Sequence, residues 1–341
     1  MKAITKKSIC ISLGIIIISI VIFFIYTCKS GSKIIILENE QDGIFSSPYS
    51  NKLAVITDGE LVVYNQSGKA QCVETGAKVI YVYPLEDSIY VIDENNDLFE
   101  LGYEERSGIS NKSAILSDVK MFTYSYDISN NAFSCGAIST NGDLYVWGSN
   151  ENHILGIEDE DYIDYPIKIE YLSNIKKVCF CEEVALLLTE SGEVYQAGNK
   201  CYKSDEEILK YSKLESITGA IDISCGDVGI IYTQESISQW IIKSCTYHDS
   251  EDDYINACEE ISFTQYFQGD RYWVGTTATG EVYFRGYDIM CLISKDYNIY
   301  NEPVKMEGIS NVDYIYAGNE VMYVKNGNEL TIVRKKLYSK I

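Results

Sequence analysis

The strongest constraint on the fold of this 341-residue chain is a hairpin pattern that recurs along it. The stretch STNGDLYVWGSNENHILG occupies residues 139–156, and related segments follow as TESGEVYQAGN at 189–199 and TATGEVYFRGY at 277–287. Each segment has a turn of glycine and polar residues, followed by alternating residues that favour strands, and this pattern is typical of a β-hairpin. The repetition predicts that one supersecondary unit is used several times.

The copies align on a turn residue that is followed six positions later by a glycine. The complete copies pair Asn96 with Gly102, Gly142 with Gly148, Gly192 with Gly198 and Gly280 with Gly286, and weaker copies centre on Gly59, Ser236 and Gly327-Asn328. We expect a positive φ at the turn glycines, because glycine adopts it without steric cost, and asparagine is the common substitute. Seven copies at a mean spacing of about 45 residues are typical of propellers and solenoids.

The composition of each copy favours a propeller over a helical solenoid. The units contain three or four strand-like segments and no helical periodicity. A small residue ends the strand before several hairpins, at Cys181, Gly226 and Gly318, and small residues suit the narrow inner edge of a wedge-shaped blade. The predicted fold is therefore an all-β, seven-bladed β-propeller that spans residues 33–341.

The best-preserved copy also resembles a known repeat. The run ISTNGDLYVWGSNENHILG and the following PIKIEYLSNIKKVCFCEEVALLLTESGEVYQAGN resemble the repeat of the regulator of chromosome condensation family, strongly over residues 137–199 and recognisably over 220–287. The resemblance implies a seven-bladed propeller that offers one face to a partner; its members include a guanine nucleotide exchange factor and a secreted inhibitor of β-lactamases. The chain departs from the family pattern at His153, Ile154 and Phe180-Cys181. These departures suggest that the scaffold is kept while the surface residues differ from those of the family.

A separate signal precedes the repeats. Residues 8–28 contain no charged side chain, and as a helix these 21 residues would span roughly 31 Å, close to the thickness of a bilayer core. Three lysines lie before this segment, which favours an N-terminus in the cytoplasm. The sequence predicts a single-pass anchor over residues 8–28, a cytoplasmic N-terminus at residues 1–7 and an extracytoplasmic propeller. A signal sequence cleaved near residues 30–32 is the alternative.

Charge and cysteine content limit the partners and the chemistry. The chain has 28 basic and 50 acidic residues, for a net charge of −22, and four of the basic residues precede Lys33, so the propeller carries 24 against 50, or −26. Such a surface repels phosphate backbones, which argues against nucleic acid and favours a basic partner. Nine of the 11 cysteines fall in the propeller, and because nine is odd and no pair has C-x-x-C spacing, we predict that most are buried thiols. Their redox state stays open, because an extracytoplasmic propeller would meet weakly oxidising surroundings.

The sequence offers few groups for catalysis or metal binding. The two histidines, His153 and His248, belong to no recognisable catalytic or zinc-binding pattern. Acidic clusters at residues 158–164 and 249–254 could ligate calcium in principle. The cluster Asp93–Asp97 has oxygens at alternate positions but lacks the glycine and distal glutamate of a calcium loop, and it coincides with a repeat turn. We therefore predict no catalytic residue, no metal and no cofactor.

The predicted partner site follows the best-preserved hairpin. It consists of four consecutive acidic residues and two nearby tyrosines, namely Glu158, Asp159, Glu160, Asp161, Tyr162 and Tyr165. Tyrosine gives a large contact area at a low entropy cost, and acidic side chains steer a basic partner. An ordinary solvated connection is the alternative interpretation of this stretch.

Three functions stay open from the sequence. The first is a non-catalytic binding module for a protein or another macromolecule, and the second, by family resemblance, is a cytoplasm-facing regulator of a small GTPase. The third is a surface enzyme with carboxylates contributed by different blades, because such residues meet only in space.

Overall fold

The structure is a computed structural model in which the following residues are described: 26–27, 33–36, 43–104, 108–127, 132–180, 184–199, 207–215, 217, 219–225, 228–233, 240–243, 261, 263–269, 272–288, 293, 298–327 and 329–334. These residues form 28 strands and one short 3-10 turn at Glu151–His153. The predicted turn at Ser236 and the residues His248 and 249–254 lie outside the described residues.

Strands are numbered in chain order and take four places in their sheets. The first strands are β3 (Gly43–Phe45), β7 (Val79–Pro84), β11 (Val119–Asp127), β15 (Ile175–Phe180), β19 (Ala220–Cys225), β22 (Phe263–Gln268) and β26 (Tyr314–Ala317). The second strands are β4 (Leu53–Thr57), β8 (Ser88–Asp93), β12 (Ala132–Ser139), β16 (Val184–Thr189), β20 (Val228–Thr233), β23 (Tyr272–Thr277) and β27 (Val321–Asn326). The third strands are β5 (Glu60–Tyr64), β9 (Leu98–Glu104), β13 (Leu144–Ser149), β17 (Val194–Asn199), β21 (Trp240–Lys243), β24 (Glu281–Tyr287) and β28 (Glu329–Arg334). The outer strands are β6 (Ala70–Val73), β10 (Gly108–Leu116), β14 (Tyr162–Lys168), β18 (Glu207–Lys213) and β25 (Ile299–Ser310), with β1 (Tyr26–Thr27) and β2 (Lys33–Ile36) from the N-terminal part of the chain.

The strands assemble into antiparallel sheets that follow one another along the chain. Sheets 1 to 4 are β3–β6, β7–β10, β11–β14 and β15–β18, sheet 5 is β19–β21, sheet 6 is β22–β25, and sheet 7 has the order β1-β2-β28-β27-β26. Six of these sheets have four or more strands, whereas sheet 5 has three. The all-β propeller is therefore confirmed with six complete blades rather than the seven predicted, because no outer strand pairs with β21 within the described residues.

Successive sheets pack against each other, and contacts between first strands run from sheet 1 to sheet 5 and join sheet 6 to sheet 7. The Tyr81 hydroxyl of β7 donates a hydrogen bond to the Phe122 carbonyl of β11 at 3.0 Å. Phe122, which is fully buried, stacks on Tyr90 of sheet 2 with ring centroids 4.4 Å apart and lies 5.8 Å from Trp147 of its own sheet. The core is thus a series of apolar layers between successive sheets.

The predicted turn residues connect each sheet to the next. The turn residues have positive φ, with values of 85° at Gly59, 65° at Asn96, 82° at Gly142 and Gly192 and 75° at Gly280. Three of the glycines six positions later also have positive φ, with 97° at Gly148, 99° at Gly198 and 111° at Gly286. At the turn itself the carbonyl accepts a hydrogen bond from the chain that begins the next sheet: Gly142 O lies 2.9 Å from Ile175 N, and Gly192 O lies 3.1 Å from Ala220 N. The end of the ring that carries these turns is called the turn face, and the opposite end the loop face.

Sheet 7 closes the ring with strands from both ends of the propeller. Strand β2 pairs antiparallel with β28, with Lys33 opposite Ile332 and Ile36 opposite Glu329. The Tyr323 hydroxyl of β27 donates to the Asn51 carbonyl of sheet 1 at 2.9 Å. A buried apolar cluster also joins the two sheets, with Leu53 and Val55 on one side and Val321, Leu330 and Ile332 on the other.

The predicted membrane location is wrong. In the part of the chain that the structure describes, every regular element except the 3-10 turn is a strand, and none is a helix with the length and apolar character needed to cross a bilayer. The last described residues of the predicted anchor form strand β1, where Tyr26 lies opposite Ile34 and Thr27 opposite Lys33. Aromatic and β-branched residues favour strands, and β2 supplies their pairing partners. The rest of residues 8–28 lies outside the described residues.

Buried tyrosines predict a loss of stability in alkali. Burial raises the pKa of Tyr83, Tyr90 and Tyr211 above the ordinary tyrosine value of about 10, because the folded protein disfavours the phenolate. The unfolded chain therefore releases these protons first, so the contribution to stability is complete below about pH 10 and is lost as the pH rises above it. We expect the melting temperature to fall steeply above about pH 10. Tyr90→Phe, which keeps the ring that stacks on Phe122, should make this fall shallower; an equal fall would contradict the assignment.

Candidate interaction surface

The acidic stretch is a loop on the loop face, and the buried side chain of Asn150 fixes its shape. Asn150 Nδ2 donates to the carbonyls of Ile157 at 2.7 Å and Glu160 at 2.6 Å, and its Oδ1 accepts from Leu155 N at 2.9 Å. The backbone N–H of Asn150 also donates to the Asp161 carbonyl at 2.8 Å. Because one fully buried amide holds both ends of the loop, the acidic residues are presented in a defined arrangement.

The same arrangement recurs in sheet 6, where sequence reasoning did not identify it. Asp288, fully buried, accepts a hydrogen bond from Ile293 N at 3.0 Å, and Asp288 N donates to the Asn298 carbonyl at 2.8 Å. Asp288 lies two residues after Gly286, as Asn150 lies two residues after Gly148. The signal was therefore present in the repeat alignment, as a polar residue at an equivalent position.

Glu158 links the acidic loop to the neighbouring sheet. Its Oε2 lies 2.8 Å from Lys210 Nζ in strand β18 of sheet 4, and both side chains are about half exposed. The hydrogen bond from Lys210 lowers the pKa of the Glu158 carboxyl, so the ion pair persists at neutral pH. Within the described residues, ion pairing in this stretch is limited to Glu158, and Asp159, Glu160 and Asp161 are exposed carboxylates.

The two predicted tyrosines lie on the outer strand of sheet 3. Tyr162 begins β14 and is 50% exposed, and Tyr165 is 68% exposed. Ile163 lies opposite Gly148 and Ile167 opposite Val146, so the three residues between them face a single residue of β13 in a bulge. Because a bulge bends its strand and re-aims side chains, Tyr165 projects from the sheet into solvent.

Tyr162 is the exposed end of a row of aromatic rings on the loop face. Its ring lies 6.3 Å from that of Phe133, which stacks on Tyr124 at 5.9 Å, and Tyr124 lies 6.1 Å from Tyr49 of sheet 1. The Tyr49 hydroxyl is 3.1 Å from Ser125 Oγ. The structure thus brings Tyr162 together with apolar surface from sheets 1 and 3, which sequence reasoning missed because these contacts join residues far apart in the chain.

A further exposed tyrosine lies between the acidic loop and sheet 4. Tyr171 is 49% exposed; its hydroxyl donates to the Gly156 carbonyl at 3.1 Å and accepts from Tyr211 N at 3.0 Å. Tyr211, buried beneath it, packs so closely on Gly156 that a Cβ there would lie 2.4 Å from its ring. Tyr171 therefore ties the end of the loop to β18.

The residues considered for catalysis or metal binding have structural contacts. Asp93 Oδ1 accepts from the backbone N–H groups of Asn95 at 2.9 Å and Asp97 at 3.1 Å, so this carboxylate stabilises a turn. His153 ends the 3-10 turn, and its Nδ1 lies 3.2 Å from the Ile157 carbonyl oxygen. Across the described ranges, no group of three or more His, Cys, Asp or Glu side chains is placed to hold a metal ion.

Comparison with known proteins supports the repeat and the fold. The sequence model of the Regulator of chromosome condensation (RCC1) repeat matches residues 141–184. The E3 ubiquitin-protein ligase HERC2 of Mus musculus is 26% identical over 158 residues, and its human counterpart is 25% identical over the same length. Each alignment covers 41% of this chain and 3% of the ligase, so the chain is similar to a small part of those proteins.

Solved structures with a similar fold cover most of the chain. The crystal structure of Prp20p from Saccharomyces cerevisiae aligns with a TM-score of 0.60 and 12% identity, over 84% of this chain and 82% of that one. Yeast RCC1 (Prp20) in its complex with Kap60 aligns with a TM-score of 0.59 and 12% identity, over 84% and 79% of the two chains. This chain therefore carries an RCC1-type repeat within a β-propeller whose fold is similar to that of yeast Prp20p.

Proposed function

We propose that this protein is a non-catalytic binding module that recognises a basic protein through the loop face of sheet 3. The observation that carries the proposal is the fixed acidic loop beside two exposed tyrosines. Asp159, Glu160 and Asp161 supply charge that attracts a basic partner over a distance, and Tyr162 and Tyr165 supply contact area. The net charge of −22 adds a long-range field of the same sign.

The comparisons support a protein partner by analogy. RCC1-type propellers generally act as regulators or binding modules, and the yeast structure is described with the binding of Prp20p to Gsp1p and histones. Histones are basic proteins, so a propeller of this fold is compatible with a basic partner. The alternative of a small-GTPase regulator rests on the family resemblance, and the enzyme alternative rests on carboxylates that different blades would contribute.

The seven-bladed architecture belongs to the same proposal. Sheet 5 repeats the first three strand places of the complete blades, with Ala220 N bonded to the turn carbonyl of Gly192 as Ile175 N is to Gly142. We take sheet 5 as the seventh blade of a propeller over residues 33–341. Its position then separates sheet 6 from sheet 4.

Two variants separate the role of the tyrosines from that of the charges. A partner is first identified by affinity capture with the wild-type chain and quantified against each variant. The double variant Tyr162→Ala, Tyr165→Ala should raise the dissociation rate constant roughly tenfold or more at any salt concentration, because a lost aromatic anchor commonly costs a factor of this size. The triple variant Asp159→Asn, Glu160→Gln, Asp161→Asn should mainly slow association at low salt.

The structure offers a matched control for the tyrosine variant. Ile80, 48% exposed, follows Val79, whose N–H bonds to the turn carbonyl of Gly59, so it lies at the turn face. Ile80→Ala removes a comparable exposed apolar side chain and should leave binding unchanged. If the captured partner responds to Ile80→Ala and to neither loop variant, the partner site is elsewhere. Accelerated nucleotide release from a captured GTPase would instead favour the regulator alternative.

A further inference from the structure

Two cysteines meet between sheets 4 and 5. Cys179 lies in β15 and is buried, Cys225 ends β19 and is half-buried, and their sulfur atoms are 2.7 Å apart. Neither sulfur is part of a disulfide in this structure. Two uncharged carbon atoms have their best contact at about 3.5–4.0 Å, and sulfur is larger than carbon, so this separation is well inside an ordinary packing contact.

The strand geometry explains why these two side chains face each other. Successive side chains of a strand point to opposite faces, and each face of a sheet in the ring looks towards one neighbour. Phe180, next to Cys179, points back to sheet 3, where its ring lies 3.1 Å from the position that a Gly136 Cβ would take. Cys179 therefore points forward to sheet 5, and Cys225, which has the place in β19 that Phe180 has in β15, points back to sheet 4.

The interface between sheets 4 and 5 differs from the preceding interfaces in the side chain that fills it. Phe180 fills the contact between sheets 3 and 4 with an aromatic ring, and Tyr124, at the same place in β11, stacks in the aromatic row of the loop face. At the equivalent place in β19, Cys225 has a sulfur atom instead of an aromatic ring, and this sulfur points to Cys179. We propose that Cys179 and Cys225 form a disulfide that cross-links sheets 4 and 5 when the protein meets a small-molecule disulfide such as oxidised glutathione.

The proposed reaction is two thiol–disulfide exchanges. Cys225, the more exposed of the two, attacks the small-molecule disulfide as the thiolate, forms a mixed disulfide and releases one small thiol. Cys179 then loses its proton and attacks the Cys225 sulfur, which releases the second small thiol. Two S–H bonds and the S–S bond of the oxidant are broken, one protein S–S bond and two small-molecule thiols are formed, and the oxidant takes up both electrons.

The cross-link would hold the three-stranded sheet 5 against the complete sheet 4. The two cysteines are 46 positions apart in the chain, and disulfides that close loops of this length stabilise chiefly by restricting the unfolded chain. We expect oxidation to raise the melting temperature on the order of 5 °C. The expected effect is confined to oxidising conditions and is reversed by a thiol reductant.

The test uses the full chain, fully reduced and then treated with oxidised glutathione. Proteolysis without reduction, followed by mass spectrometry, should yield a peptide pair joined through Cys179 and Cys225 that has lost two hydrogens. Cys225→Ser should abolish this pair and the rise in melting temperature, whereas Cys72→Ser, which changes an exposed cysteine of sheet 1, should retain both. Alkylation of the wild type gives a measurement that does not depend on how a variant folds, because both thiols should become protected by the oxidant.

The opposite results would overturn the proposal. If Cys179 and Cys225 are alkylated to the same extent before and after oxidation, or if the cross-linked peptides contain other cysteines only, the pair does not form a disulfide. A rise in melting temperature that persists in Cys225→Ser would likewise assign the stabilisation to another site.

Discussion

A chain that starts at Gly43, and so lacks β2, is expected to lose the closed ring and to aggregate or melt at a much lower temperature. Strand β2 pairs four residues with β28, and its removal exposes the edge of a six-residue strand. Four lost ladder positions at roughly 1 kcal/mol for each hydrogen bond cost on the order of 4 kcal/mol, and the open edge invites pairing with another chain. Light scattering and thermal melts measure both effects.

The matched control keeps the strand. A chain that starts at Lys33 lacks β1 but retains every pairing between β2 and β28. It should stay monomeric and melt close to the full chain. Equal melting temperatures for the chains that start at Gly43 and Lys33 would show that β2 does not close the ring.

The second large effect is expected for Gly148→Ala. At Gly148 φ is 97°, and a Cβ would lie 2.3 Å from the Phe133 carbonyl oxygen, which belongs to the backbone of the neighbouring strand. The substitution combines a backbone penalty of roughly 1–2 kcal/mol with an overpacking penalty of roughly 1–3 kcal/mol, so we expect a loss of about 2–5 kcal/mol in the free energy of unfolding. Denaturant titration measures this loss.

Gly76→Ala separates the two contributions. Gly76 also has a positive φ, at 79°, but nothing lies within 4 Å of a Cβ built there. Its substitution should cost roughly 1–2 kcal/mol from the backbone alone. If both alanine variants lose the same free energy of unfolding, the close approach of Gly148 to Phe133 does not contribute to the loss.

Local features of the fold were predictable from the sequence. A hairpin depends on a few adjacent residues, so the turns at Gly142, Gly192 and Gly280 were read from their glycines and the strands from their alternation. The number of blades was harder to predict from the sequence because it depends on strand pairing between segments with weak patterns. Sheet 5, whose predicted turn residue is Ser236 in place of the glycine of the better copies, has three strands within the described residues.

Features that depend on distant residues were not predictable. The apolar segment before the propeller has the composition of a membrane span, and composition alone does not reveal that Tyr26 and Thr27 find partners in β2. The acidic loop was recognised as a surface candidate, but its ion pair with Lys210 and its attachment to Asn150 join different elements. The proposed partner site itself awaits the binding measurements above.

The position of β2 in sheet 7 also constrains how the molecule is made. Strand β2 leaves the ribosome before its partner β28, which follows roughly 300 residues later and takes about 15–60 s at 5–20 residues per second. During that time β1 is the partner of β2 in sheet 7 that has already been made, and the growing array of sheets cannot become a ring. Contacts of such long sequence separation form slowly, so completion of the last sheet should set the folding rate. Until β28 is made, the nascent chain therefore carries an apolar strand with an open edge, which makes it a substrate for chaperones that bind such segments.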